Sequence, residues 1–320
     1  MIKLLVIVGP TATGKTDLAI KLAKKFSGEI VSADSRQIYQ GMDIGTGKEV
    51  ADKKVIKEKG KWIVRGVQIH LYNVIKPDET FSVADYQQLA YQAIEDIQSR
   101  GKLPILVGGT GLYVQAVTEG LKIPKVPPDL KLREKLERKP LAHLVAELER
   151  VDPETAFRID QKNPRRIIRA LEVYYLTGQP ISTLQEKFKA DFDSLVIGLV
   201  APREILYERA DRRIEQWFKE GFIEEVKDLL KKYKPGLPAM SGIGYRQVAM
   251  YLQKKLSLKD AIQRTKFDTH GYIRRQLTWF KKDSRIFWFD ITEADFRKEV
   301  ESLVKEWYNT VESCEAQNLG

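Results

Sequence analysis

The sequence predicts an α/β fold: a parallel sheet core flanked by helices, with an inserted all-helical domain. Three observations lead there. Short β-branched runs alternate with amphipathic helical stretches through residues 1–122. A proline-rich stretch, Ile123-Pro124-Lys125-Val126-Pro127-Pro128-Asp129, then opens a region of helical periodicity with no convincing strand. A strand-like run, Leu195 to Val200, resumes afterwards. The expected division is therefore a first core segment over 1–122, a helical insertion over 123–193, and a second core segment over 194–320.

Element by element, Leu4-Leu5-Val6-Ile7-Val8 is an apolar run of strand length, and Asp17 to Phe26 is apolar at helical spacing. Glu29-Ile30-Val31-Ser32-Ala33 reads as a second strand that delivers Asp34-Ser35-Arg36-Gln37-Ile38-Tyr39 at its C-terminal end. Binding groups collect at that edge in open α/β sheets. Val83 to Ser99 is amphipathic, with Ser82 as a plausible N-cap. Leu103 to Val107 is a buried strand, broken at Gly108-Gly109-Thr110-Gly111, and a helix resumes near Leu112. Within the insertion, helical periodicity runs from Leu130 to about Phe188. Helices dominate again over Arg203 to Tyr233 and Leu258 to Lys281, and Ile286-Phe287-Trp288-Phe289 is a late strand. No repeat or low-complexity tract interrupts this order.

Between the first strand and helix lies Gly9-Pro10-Thr11-Ala12-Thr13-Gly14-Lys15-Thr16, which fits the P-loop pattern G-x-x-x-x-G-K-[ST]. Its glycines let backbone N–H groups turn inward, the helix N-terminus adds partial positive charge, and Lys15 adds a full one. Thr16 offers a hydroxyl to Mg²⁺. The core is thus expected to be of P-loop type, and the loop to hold a polyphosphate. Ile105-Leu106-Val107 ends in glycine, where a nucleotide hydrolase would usually place its acid. That weakens an ATPase reading and fits a site that holds a diphosphate as leaving group.

The chain has 320 residues, 43% hydrophobic and 31% charged, as in ordinary globular proteins. No apolar run approaches the roughly 18 residues a membrane span requires. Met1-Ile2-Lys3 leads directly into the first strand, leaving no room for a signal peptide, and Cys314 is the only cysteine, so an internal disulfide is excluded. A cytoplasmic protein is expected. The net charge of +10 is spread over clusters far from the loop: Arg165, Arg166 and Arg169; Arg203, Arg209, Arg212 and Arg213; Arg274, Arg275, Lys281 and Lys282. They read either as the footprint of a polyanion partner or as a solvated basic surface.

Asp34 has two readings: a cap that accepts backbone N–H groups, or a strand-end carboxylate that accepts a proton or holds Mg²⁺ through water. Gly108 to Gly111 is either a close backbone approach or a tight turn. His70, His143 and His270 match no metal pattern. Tyr245, Tyr272, Trp279 and Phe280 lie among basic residues, where aromatics can stack on unpaired bases or simply pack a core.

Taken in order, these blocks resemble the tRNA dimethylallyltransferase (tRNA isopentenyltransferase) family, over nearly the whole chain. The blocks are residues 9–16; Asp-Ser-Arg-Gln-Ile-Tyr at 34–39; Gly-Met-Asp-Ile-Gly-Thr at 41–46; Phe-Ser-Val-Ala-Asp-Tyr at 81–86; Gly-Gly-Thr-Gly-Leu-Tyr at 108–113; Arg-Arg-Ile-Ile-Arg-Ala-Leu-Glu-Val at 165–173; Thr-Gly-Gln-Pro-Ile at 177–181; Gly-Ile-Gly-Tyr-Arg-Gln at 242–247; and Arg-Arg-Gln-Leu-Thr-Trp-Phe at 274–280. The resemblance implies transfer of a dimethylallyl group from dimethylallyl diphosphate to N6 of the adenine 3′ of the anticodon in tRNA, with Mg²⁺ as cofactor. It implies diphosphate binding by Gly9, Pro10, Thr11, Ala12, Thr13, Gly14, Lys15 and Thr16, with Arg209 facing the diphosphate and Asp34 reading the base. It implies tRNA contacts at Asp34, Ser35, Arg36, Gln37, Thr110 and Arg133. Further contacts are implied at Arg165, Arg166, Ile167, Ile168 and Arg169; at Gly242, Ile243, Gly244, Tyr245, Arg246 and Gln247; and at Arg274, Arg275, Gln276, Leu277, Thr278, Trp279, Phe280 and Lys281. A bacterial-type member is implied, acting as a monomer on the tRNA anticodon stem-loop.

The chain departs from the family pattern in places. Gly45-Thr46-Gly47-Lys48 replaces the common Gly-Thr-Ala-Lys, a charged stretch follows over Asp52 to Lys61, and His70 stands alone where two histidines are usual. Tyr272-Ile273-Arg274-Arg275-Gln276 replaces Tyr-Ala-Lys-Arg-Gln. Two rivals share the loop: a small-molecule P-loop kinase, which would not need the scattered basic stripes, and an adenylate isopentenyltransferase, against which the helical insertion and its arginines argue. A non-catalytic RNA-binding module would not need Lys15, Thr16 and Asp34 together.

Overall fold

A computed structural model describes residues 1–48, 55–124, 126–184 and 192–310. Lys125 of the proline-rich stretch, the helical pattern between 185 and Phe188, the start of the charged stretch at Asp52, and Cys314 lie outside the described residues. In chain order the first elements are β1 (Ile2–Val8), α1 (Lys15–Lys25), β2 (Gly28–Ser32), β3 (Ile56–Glu58), β4 (Gly60–Val64), β5 (Val67–Tyr72), α2 (Val83–Ser99), β6 (Leu103–Val107) and α3 (Gly111–Thr118). The helices α4 (Leu130–Glu137), α5 (Leu141–Val151), α6 (Pro153–Arg158), α7 (Pro164–Thr177) and α8 (Ile181–Leu184) follow. Then come β7 (Phe192–Val200), α9 (Arg203–Lys219), α10 (Phe222–Lys232), α11 (Tyr245–Leu252), α12 (Leu258–Phe280), β8 (Ile286–Asp290) and α13 (Phe296–Asn309). No helix among the described residues is long and apolar enough to cross a membrane.

The eight strands form one sheet in the order β3-β4-β5-β2-β6-β1-β7-β8. From β5 to β8 neighbours are parallel, whereas β3, β4 and β5 pair antiparallel. The α/β expectation holds, with an antiparallel extension to which sequence reasoning assigned no strands. Its signal was the alternation Val67-Gln68-Ile69-His70-Leu71 after an Arg65-Gly66 turn, both at positive φ. Parallel strands covered on both faces read as continuous apolar runs. Accordingly Leu4, Leu5, Val6 and Ile7 are fully buried, and α1 and α13 contribute Leu18, Leu22, Phe296, Val300 and Val304 to one core with Leu5 and Ile7. The capping signal was sound: Ser82 Oγ accepts from Asp85 N at 3.2 Å, with Asp85 returning a bond to Ser82 N.

By close packing the chain divides into residues 1–114 with 191–320, and residues 115–190. The second unit is helical. Leu136, Leu144, Leu148, Ile167, Ile168 and Leu171 form its core. Inside it lies Glu172, with no exposed surface, bonded by Arg133 at 2.7 Å, Arg169 at 2.6 Å and the Asp129 N–H at 2.8 Å. Burial would raise the Glu172 pKa, but these donors outweigh it and hold the carboxyl below its usual range. Asp152 caps α6 at Thr155 N and also accepts from Ser182 N, tying α6 to α8.

Candidate active site

The C-terminal ends of β1, β2 and β6 deliver three loops to one side of the sheet: residues 9–14, 33–39 and 108–111. Strand order reverses at β1, the position where such sheets open a crevice. A cavity of about 390 Å³ occupies it. The phosphate loop supplies Thr11, Ala12, Gly14, Lys15 and Thr16; the β2 end supplies Asp34 and Gln37; the β6 end supplies Val107, Gly108 and Gly109. Opposite walls come from Thr46, Gly47 and Lys48, from Arg209, Arg213, Gln216, Trp217 and Glu220 at α9, and from Tyr272 and Gln276 on α12.

Gly9 stands at φ 134°, and a Cβ there would lie 2.4 Å from the Leu199 carbonyl of β7, so the first loop position admits no side chain. Thr13 Oγ1 donates to the Pro10 carbonyl at 2.9 Å, and Lys15 Nζ donates to the same oxygen at 2.7 Å. No side chain caps α1, so its first-turn N–H groups remain for a ligand at a helix start that lines the cavity. Desolvation lowers the Lys15 pKa to about 7; Asp34 opposes the shift and Arg213 adds to it.

Asp34 both fixes a turn and lines the cavity. One carboxylate oxygen accepts from Arg36 N at 2.8 Å, fixing the turn, while the residue lines the cavity. Thr110 Oγ1 accepts from Ser35 N at 3.1 Å, binding the β6 loop to the β2 loop. Gln37 spans Ser32 Oγ and the Thr46 carbonyl at 2.8 and 3.2 Å. Arg36 donates to the carbonyls of Pro238 and Ala239. Arg209 approaches the phosphate loop: its Nη2 would be 3.7 Å from a Cβ on Gly14.

Arg213 is the cavity residue that sequence reasoning noted only as part of a basic cluster. It stands one turn beyond Arg209 on α9, donates to the Gly47 carbonyl at 2.9 Å and lies 5.5 Å from the Trp217 ring centroid. The i,i+4 spacing was the available signal. Lys48, on the same loop, is buried. It donates to the Tyr39 carbonyl at 3.0 Å, to Asp43 at 3.0 Å and to Asn73, and desolvation lowers its pKa to about 8.

Gly108 to Gly111 is a close approach. A Cβ on Gly108 would lie 2.1 Å from the Ala33 carbonyl, which leaves no room for an acid at the end of β6. Gly109 faces Gln276, and Gly111 faces the indole of Trp279.

The remaining sequence-selected residues separate by exposure. Arg165, Arg166, Arg246, Arg274, Arg275, Thr278, Trp279 and Lys281 are exposed. Ile167, Ile168, Gly242, Gly244, Tyr245, Gln247, Gln276, Leu277 and Phe280 are buried, and Ile243, Arg133 and Arg169 are half-buried. Tyr245 donates to Glu225 at 2.6 Å, and Gln247 donates to Asp268 at 2.6 Å. His70 bonds Glu29 and His270 bonds Asp211, both at 2.8 Å, and no cluster of metal-ligating His, Cys, Asp or Glu occurs among the described residues.

The IPP transferase family model matches residues 37–283. The chain is 44% identical over 312 residues to a tRNA dimethylallyltransferase of Roseiflexus sp. (strain RS-1), covering 96% of this chain and 99% of that one. It is 48% identical over 287 residues to one from Chloroflexus aggregans, covering 88% and 94%. The crystal structure of full-length tRNA isopentenylpyrophosphate transferase from Bacillus halodurans superposes with a TM-score of 0.72 at 37% identity, covering 99% of this chain and all of that one. A eukaryotic dimethylallyltransferase described as acting on tRNA gives a TM-score of 0.74 at 27% identity, over 95% of this chain and 78% of that one. On the family match and on relatives this similar over nearly its whole length, the chain belongs to the IPP transferase family.

Proposed function

We propose that the protein transfers a dimethylallyl group from dimethylallyl diphosphate to N6 of the adenine 3′-adjacent to the anticodon in tRNA, releasing diphosphate. The observation that carries this reading is one cavity shared by the phosphate loop and the Asp34 carboxylate, at a sheet edge where Gly108 excludes the acid of a nucleotide hydrolase. The names of the relatives support the donor group and the tRNA acceptor.

In this reading residues 9–16 cradle the diphosphate, and Lys15, Arg209 and Arg213 stabilise the charge it gains as it leaves. The allylic carbon tolerates developing positive charge, which compensates for an amine whose lone pair is delocalised into the adenine ring. Asp34, its turn already fixed through Arg36 N, accepts the proton from N6 as the C–N bond forms. The Thr16 hydroxyl is a hard oxygen donor on the same cavity and would hold Mg²⁺, which commonly takes few protein ligands alongside phosphate oxygens and water. When bound, Mg²⁺ would neutralise diphosphate charge. The adenine must leave its stack, at a cost of about a few kcal/mol. On one unit, exposed Arg274, Arg275, Trp279 and Lys281 near the end of α12 supply charge and a stacking surface for unpaired bases; on the other, exposed Arg165 and Arg166 of α7 supply charge for tRNA phosphates.

The test is radiolabelled dimethylallyl diphosphate incubated with total tRNA and Mg²⁺, followed by nucleoside analysis, with labelled ATP as the parallel donor. Label in N6-allylated adenosine is the expected result. No labelled nucleoside, or phosphoryl transfer from ATP instead, would overturn the assignment.

A further inference from the structure

Gln276 occupies a position that an RNA contact does not explain. It lies on α12, is 5% exposed, and both ends of its amide are taken by backbone of the two site loops. Its Oε1 accepts from Thr11 N at 2.8 Å, and its Nε2 donates to the Gly109 carbonyl at 2.9 Å. The orientation of the amide is forced: the flipped form would set donor against donor and acceptor against acceptor. Gly109 is shaped for this contact, since a Cβ there would stand 2.2 Å from Nε2. The Tyr272 hydroxyl, one turn earlier on α12, donates to the same carbonyl at 3.4 Å.

We propose that Gln276 is a positioning residue for the transfer reaction: its amide braces the phosphate loop against the β6 loop and so sets the loop geometry that a diphosphate meets. The Thr11 N–H then belongs to the brace, and the phosphate-facing donors begin after it, at Ala12 to Thr16. Two glycine-bearing loops are held by one side chain on a helix that lies 265 positions beyond Thr11 and 167 beyond Gly109 in the chain. A mis-set loop binds diphosphate poorly, because N–H donors are effective only when they are already aimed. The inference rests on reading the cavity as a diphosphate site.

The test uses the full chain and inorganic pyrophosphate with Mg²⁺, measured by calorimetry, beside tRNA binding in the absence of donor. Gln276→Met keeps length and removes both bonds. Pyrophosphate affinity is expected to fall about tenfold, the size of one lost well-aligned hydrogen bond, with tRNA affinity within about twofold of the parent. Gln276→Glu keeps the acceptor toward Thr11 and recovers the donor toward Gly109 only when its carboxyl is protonated. Its affinity relative to the parent at the same pH should therefore rise as pH is lowered through the titration of that carboxyl and fall as pH is raised. A purely structural role would give no such pH-dependent ratio, and this readout stands even if the Met variant fails to fold. Unchanged pyrophosphate binding in Gln276→Met, a loss confined to tRNA, or a Glu variant weakened equally at all pH values would each overturn the proposal. Failure of the parent protein to bind pyrophosphate would instead overturn the diphosphate reading beneath it.

Discussion

Lys15 and Arg169 are both basic side chains drawn away from solvent, and their partners differ in kind. Lys15 Nζ hydrogen-bonds a carbonyl and lines an open cavity; desolvation takes its pKa down to about 7. Arg169, with Arg133, meets a fully buried carboxylate on its own helical unit. The first arrangement has Asp34 in the same cavity but, among the described residues, no carboxylate bonded to Nζ, which leaves that place to an anion from outside. The second supplies it from within the chain. Basic residues in a sequence thus divide into those that await a ligand and those that hold a fold, and only the identity of the partner separates the two groups.

The strongest way to break this contrast is to remove each key residue in turn. Lys15→Met is expected to lower kcat by about 10²–10³, the range for losing one aimed donor at a charge-developing centre, with little change in thermal unfolding. Turnover within tenfold of the parent would move Lys15 out of the charge-stabilising set. Glu172→Gln should do the reverse. It leaves Arg133 and Arg169 facing a neutral amide, at a cost of about 3 kcal/mol to the helical unit, visible as earlier proteolysis or melting of that region. The pH dependence has a defined sign. The Glu172 pKa is depressed on folding, so its contribution is present above the ordinary carboxyl value of 4.5 and is lost as pH falls through the folded value. The Gln variant should lack this acid-dependent component.

The smallest expected effect concerns the exposed arginines. Arg165→Ala with Arg166→Ala should reduce the slope of log affinity for tRNA against log salt by about 1.4, if each meets one phosphate of an unpaired strand. The matching change at Arg133 alters a residue already paired with Glu172 and should leave the slope nearly unchanged. Equal slopes for the two sets of variants would erase the distinction between partnered and open arginines.

Much of the site was legible because its signals are contiguous. The phosphate loop works through backbone geometry, so glycine spacing and flanking periodicity carried it directly. The capped helix at Ser82 and the apolar runs of β1 and β6 were readable for the same reason. The brace at Gln276 was not, because its two partners lie at Thr11 and Gly109 and nothing local marks the connection. Glu172 was passed over in the helical pattern of 165–173, since a glutamate among arginines reads as a solvated face until burial is known. The strands β3 to β5 were missed: β3 is three exposed residues, and in β4 and β5 short lengths and polar interruptions hid a half-buried alternation.

The low pKa of Lys15 also makes the site a proton-counting device. Desolvation in the empty site lowers its pKa to about 7; a diphosphate beside it favours the ammonium and raises that pKa. Above pH 7, binding therefore takes up a proton, and affinity from this group weakens as pH rises, by at most about tenfold per unit. Well below pH 7 the amine is already charged and the dependence fades. Calorimetric heats measured at pH 8 in buffers of different ionisation enthalpy should show greater proton uptake on pyrophosphate binding by the parent than by Lys15→Met. The same linkage runs backward when product leaves: the departing diphosphate returns the proton to solvent, and the incoming donor, itself a diphosphate, meets the same pH dependence.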